Sequence, residues 1–122
     1  MKRIFLIILS ILSLQPFAST GELAGKYVGE LRNGSECVVN LKLESDIIGI
    51  GYNDEYFNMR IKRSELEEAL RKDPTTATFK RSADFSSAKV TLYLERGKLK
   101  EADMKISFLP SFSKRCYNLE RI

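Results

Sequence analysis

From Tyr27 to Leu119 the chain runs in short stretches in which apolar and polar residues take turns, and this period of two constrains its fold most. Successive side chains of a strand point to opposite faces, so each stretch reads as a strand with one buried face. Tyr27, Gly29 and Leu31 alternate with Lys26, Val28, Glu30 and Arg32. Asn33-Gly34 follows, a pair suited to a type I′ hairpin turn with both residues at positive φ. The next strand sets Cys37, Val39, Leu41 and Leu43 on one face, and Ser45-Asp46 turns the chain into Ile47 to Tyr52. A fourth strand, Tyr56 to Lys62, alternates Phe57, Met59 and Ile61 with Asn58, Arg60 and Lys62.

The period then changes. Ser64 and Glu67 fit a capping box, and Leu66, Ala69 and Leu70 form an i, i+3, i+4 stripe, so about two turns of helix are predicted before Asp73-Pro74. Strands resume over Thr75 to Arg81, then, after a polar loop at Ser82 to Ser87, over Ala88 to Glu95. Arg96-Gly97-Lys98 turns the chain into a strand with Ala102, Met104, Ile106 and Phe108 on one face. A loop containing Pro110 leads to a last strand, Lys114 to Arg121, with Tyr117 and Leu119 on its apolar side. The predicted fold is mainly all-β: an eight-stranded antiparallel meander closed as a small barrel or tight sandwich, with one short helix between strands four and five. An OB-like barrel also carries a mid-chain helix but uses five strands.

Ahead of this pattern stands Met1-Lys2-Arg3, then an apolar run from Ile4 to Leu14, then Gln15-Pro16 and the small residues Ala18 to Gly21. The run is shorter than the roughly 20 residues of a membrane span. It reads as a cleaved signal peptide over about residues 1–20, leaving 21–122 as one exported domain, periplasmic or extracellular, with no stable membrane anchor. Cys37 and Cys116 are the only cysteines, so in an oxidising compartment they have one possible pairing. Cys37 lies in phase with Val39 and Leu41, whereas Cys116 alternates with Tyr117. Such a bridge requires either a bulge near Ser113-Lys114 or a last strand that crosses the barrel mouth.

Leu23-Ala24-Gly25-Lys26-Tyr27 resembles the Gly-x-Trp opening of lipocalin-like (calycin) barrels, with Tyr27 in the Trp position. Those families set a basic residue of the last strand against that ring, and the resemblance implies this part for Arg115 or Arg121. It implies a barrel of that type, with room for an apolar cavity. The chain departs from the family in lacking the Trp and in carrying a mid-chain helix.

Composition narrows the chemistry. Among 122 residues there is no His and no Trp, so neither a Ser-His-Asp nor a Cys-His arrangement can be built. Metal sites lose their commonest ligand, no phosphate-cradling motif occurs, and no metal or cofactor is expected. Glu101 and Asp103 share a strand face but read as solvated charges, and Ser111, Ser113 and Lys114 as a polar turn. The formal net charge of +4 falls by the two leader cations, Lys2 and Arg3, which is too little to argue for nucleic acid.

Three features suit binding. Arg60, Lys62, Arg63, Lys80 and Arg81 would form a basic patch if their strands were neighbours. Phe108, Leu109 and Phe112 frame an apolar loop able to insert into a cleft or to close the barrel. Gly49 and Gly51 share one strand face and let something approach closely, the helix being one candidate. Asn33-Gly34-Ser35 also fits a glycosylation sequon. The expected role is binding of another macromolecule, a protein, without catalysis, inhibition of a secreted enzyme being one form of it. Carriage of a small apolar ligand inside the barrel is the alternative.

Overall fold

The computed structural model describes residues 20–53, 57–83, 86–107 and 111–122. A short helix α1 (Thr20–Leu23) leads into β1 (Gly25–Glu30), β2 (Glu36–Glu44), β3 (Ile47–Tyr52) and β4 (Phe57–Lys62). Helix α2 (Arg63–Lys72) follows, then β5 (Thr76–Ala83), β6 (Ser86–Glu95), β7 (Lys98–Ile106) and β8 (Phe112–Arg121). All pairings are antiparallel, in the order β4-β3-β2-β1-β8-β7-β6-β5. Pairing of β1 with β8 joins the two halves into one nearly closed barrel, and β4 and β5 are left as its two edges. Helix α2 connects those edges and turns Leu66 and Leu70 into the core, both 1% exposed.

The inward faces hold Tyr27, Val39, Leu41, Ile48, Ile50 and Tyr52 from the first three strands, and Phe79, Val90, Leu92, Ala102 and Met104 from the later ones. Apart from those of β3, whose faces the sequence leaves unassigned, these are residues that the period-two pattern places on the apolar faces. β5 and β6 reach into the predicted Ser82–Ser87 loop, with Ala83 opposite Ser86. The helix is longer than two turns and starts two residues early, because the Arg63 N–H donates to the Asp46 carbonyl at 2.7 Å. The capping contact therefore belongs to Glu65, which accepts from the Lys62 N–H at 2.9 Å, and not to the Ser64–Glu67 pair.

That hydrogen bond, with Arg81 beside it, holds the Glu65 carboxyl below the usual carboxylate range. The stability Glu65 contributes is present above the ordinary unfolded value and lost as pH falls through its lowered folded value. Glu65→Gln is expected to lower the denaturation midpoint at pH 7, and the difference from the natural protein is expected to shrink as pH falls below the ordinary carboxylate range.

Two turns differ in kind from the sequence expectation. At Asn33-Gly34 only Gly34 has positive φ, at 88°, and the loop is closed by Gly34 N–H to Leu31 O and Leu31 N–H to Ser35 O. This is a three-residue hairpin loop ending in a left-handed residue, not a type I′ turn. The type I′ pattern occurs instead at Arg96-Gly97, where φ is 54° and 78°.

The last strand carries the main correction. Cys116 and Leu119 face the core and Tyr117 faces outward, so the strand changes phase between Tyr117 and Leu119. The change is a bulge at Asn118, whose φ is 54°, where the β1–β8 register shifts between Val28 and Glu30. The predicted bulge thus exists but lies at Asn118, not at Ser113-Lys114, and β8 pairs in the sheet instead of crossing its mouth. Asn118 also donates from Nδ2 to Glu30 at 2.9 Å. With Cys116 turned inward, the Cys37–Cys116 disulfide links β2 to β8 with Cα atoms 6.1 Å apart.

Candidate binding surface

Because Ile48, Ile50 and Tyr52 take the inner face of β3, Gly49 and Gly51 open on its outer face. Register places Gly51 between Asn40 of β2 and Asn58 of β4, and Gly49 between Lys42 and Arg60. The result is a furrow of about 530 Å³ with a glycine floor, two amides along one stretch and two cations along the next. No residue of α2 lines it, so the close approach that the glycines permit is not that of the helix. Neither Gly49 nor Gly51 has a positive φ, and a Cβ on Gly49 would meet only the Lys42 carbonyl, at 3.9 Å. At Gly49, then, neither backbone nor packing requires glycine. Lys42 pairs with the exposed Glu44 at 3.3 Å.

The five basic residues singled out in the sequence are divided among three places. Since β4 and β5 do not pair, Arg60 belongs to the furrow and Lys80 to the outer face of the other half. Lys62 is exposed at the start of α2. Arg63 pairs with Glu67 at 3.6 Å and Arg81 with Glu65 at 2.7 Å. Phe108 and Leu109 lie outside the described residues; the backbone of Phe112 opens β8 opposite Ile106.

Pairing across β5, β6 and β7 creates a feature that reading single strands misses. Lys80 stands opposite Lys89, and Lys89 opposite Lys105. All three are exposed, and none makes an ion pair among the described residues. On one side of this row stand Ser82, Ser87 and Ser107, the last two sharing a hydroxyl–hydroxyl hydrogen bond. On the other stand Thr78 and Thr91, joined at 3.2 Å, and Asp103 opposite Arg115. The sequence signal was present but hidden. Counted straight back from the Arg96-Gly97 turn, Lys89 would face Met104; the register shift between Tyr93 and Leu94 moves it opposite Lys105.

Beyond these threonines, Arg115 reaches Glu101 through Nη2 at 2.7 Å and Nε at 3.1 Å, and lies over the rings of Tyr93 and Tyr117 at 4.6 and 5.4 Å. The bond to Glu101 raises the Arg115 pKa further above its ordinary value. Glu101 is thereby engaged as a structural partner. Ser113 and Lys114 are neighbours in β8 and so project to opposite faces, which separates the serine from the amine. Among the described residues no group of three or more His, Cys, Asp or Glu side chains could hold a metal ion.

At the end of the barrel where the chain enters, Arg121 donates from Nη1 to the carbonyls of Glu22 and Ala24, and the Tyr27 hydroxyl to the Leu23 carbonyl at 2.8 Å. Burial pushes the Tyr27 hydroxyl up, and the adjacent Arg121 guanidinium acts in the opposite direction. Of the two candidates for the basic residue, Arg121 is the one beside the Tyr27 hydroxyl, while Arg115 lies over Tyr93 and Tyr117. The molecule is an antiparallel eight-stranded barrel compatible with the lipocalin-like type. Compared with family models, curated proteins and solved structures, the chain matches none at a significant level.

Proposed function

We propose that this chain is an exported, non-catalytic barrel that binds another macromolecule through its outer surface, with the β2–β3–β4 furrow as its docking place. The observation that carries the reading is Gly49: a glycine in the middle of a paired strand, over open space, that the fold does not require. Glycine there weakens a strand, and its use in strands goes with close approach by a ligand or another backbone. The partner is a protein segment slim enough for the furrow and bearing a carboxylate that meets Arg60, since Lys42 is paired with Glu44 of the same lining.

The interior supports surface binding over internal carriage, because the inward positions are taken by large side chains such as Tyr27, Tyr52, Phe79 and Met104. A buried disulfide supports a compartment outside the cytoplasm. The signal peptide that would take the chain there lies outside the described residues, except for the start of α1.

Gly49→Val tests the reading, since it fills the furrow without disturbing the core. The variant is expected to fold and to gain up to about 1 kcal/mol in chemical denaturation, from the strand preference of a β-branched residue. A peptide-display selection against the natural protein is expected to yield acidic sequences that Gly49→Val no longer retains. Selected peptides that bind both proteins equally would move the docking place elsewhere. Failure to enrich any sequence would count against a protein partner.

A further inference from the structure

We infer that the row Lys80–Lys89–Lys105 is a binding site for a linear acidic polysaccharide. The site is separate from the furrow and does not rest on the reading given to it. Neighbouring strands lie about 4.8 Å apart, so the three ammonium groups are anchored at even intervals on a line perpendicular to β5, β6 and β7. Like charges directly opposite one another destabilise a sheet. Here two such pairs are adjacent, and no carboxylate pairs with them among the described residues. The nearest acid among the described residues, Asp103, faces Arg115 across the β7–β8 pair. An arrangement that lowers stability and leaves three cations free is suited to an external polyanion.

The surroundings choose the kind of polyanion. A protein interface is anchored by aromatic or aliphatic side chains in its centre, and a membrane-binding face carries apolar residues that insert. The rows on either side of the lysines hold Ser82, Ser87 and Ser107, and Thr78, Thr91 and Asp103, with no large apolar side chain among these described residues. Single-stranded nucleic acid needs exposed aromatic rings for stacking. Among the described side chains the nearest outer rings, Tyr93 and Tyr117, are two rows away beneath Arg115. Lysines flanked by hydroxyls match a chain that offers a carboxylate on each sugar and hydroxyls between them. One sugar advances an extended chain by a length of the order of the strand spacing.

The test uses the whole mature protein with polygalacturonate, neutral dextran, polyglutamate and phosphatidylglycerol vesicles as probes, by calorimetry or affinity electrophoresis. Polygalacturonate is expected to bind, with affinity falling steeply as salt rises, and to bind more tightly than polyglutamate. Dextran is expected not to bind. Lys89→Glu places an acid between two lysines, so it should raise the melting temperature by about 1–5 °C while weakening polygalacturonate binding at least about tenfold. A stabilised variant that binds as before would overturn the proposal. So would equal or tighter binding of polyglutamate or of the vesicles. Gly49→Val, which alters the other face, is expected to bind polygalacturonate unchanged, so the two sites stand or fall separately.

Discussion

Opening the Cys37–Cys116 bond is expected to remove about 4.5 kcal/mol of stability, because the bond closes a loop with a sequence separation of 79 residues in the unfolded chain. Domains of this size are stable by about 5–15 kcal/mol in total, so the reduced protein should sit near its unfolding threshold. The bond also does local work. β2 and β8 lie on either side of β1, and in a flat sheet two such strands would stand about 9.6 Å apart. The Cα separation of 6.1 Å shows how strongly the barrel curls at β1. Both cysteines are fully buried, so a thiol reductant reaches them only when the barrel opens. The variant that isolates the effect is Cys37→Ala with Cys116→Ala, which leaves no unpaired hydroxyl in the core. Its urea midpoint should fall, and its m-value should rise as the unfolded chain expands. An unchanged midpoint would mean that the loop is already restrained in the denatured state.

What could be read from the chain divides along a physical line. Alternation reports which side chains share a face, and it identified the strands and nearly all of the core, from Tyr27 to Met104. It cannot report a bulge, because one inserted residue inverts the phase of everything beyond it. Alternation therefore places Tyr117 inward and Cys116 outward, the reverse of their positions. Only the need to bridge Cys37 signalled that something in β8 was out of step. The same limit hid the lysine row, since the register shift beside Leu94 decides what faces Lys89. Gly49 and Gly51 were visible as an anomaly, but their direction was not: it follows from Ile48, Ile50 and Tyr52 claiming the core. The helix start moved for a tertiary reason, the Asp46 carbonyl fixing Arg63, which no local capping pattern encodes.

Gly29→Ala is expected to be nearly as damaging as loss of the disulfide, at about 3 kcal/mol, although it adds a single methyl group. Gly29 sits where β8 bulges toward β1, opposite Cys37 on its other side. A Cβ there would collide with the Tyr117 carbonyl oxygen and lie 2.9 Å from Leu119 Cδ2. The first of these is backbone within the bulge and cannot swing aside as a flexible side chain would. Either the β1–β8 pairing must part or the bulge must shift, and the bulge is what turns Cys116 inward. Gly49→Ala is the matched control: the same methyl group, in the same barrel, at ordinary contact distance, with no loss expected. Because Gly29 and the disulfide both act on the approach of β8 to β2, their effects should not add. A double-mutant cycle combining Gly29→Ala with the paired cysteine-to-alanine change is expected to show a coupling of about 0.5–3 kcal/mol. Strict additivity would show that the bulge holds its place without the bridge.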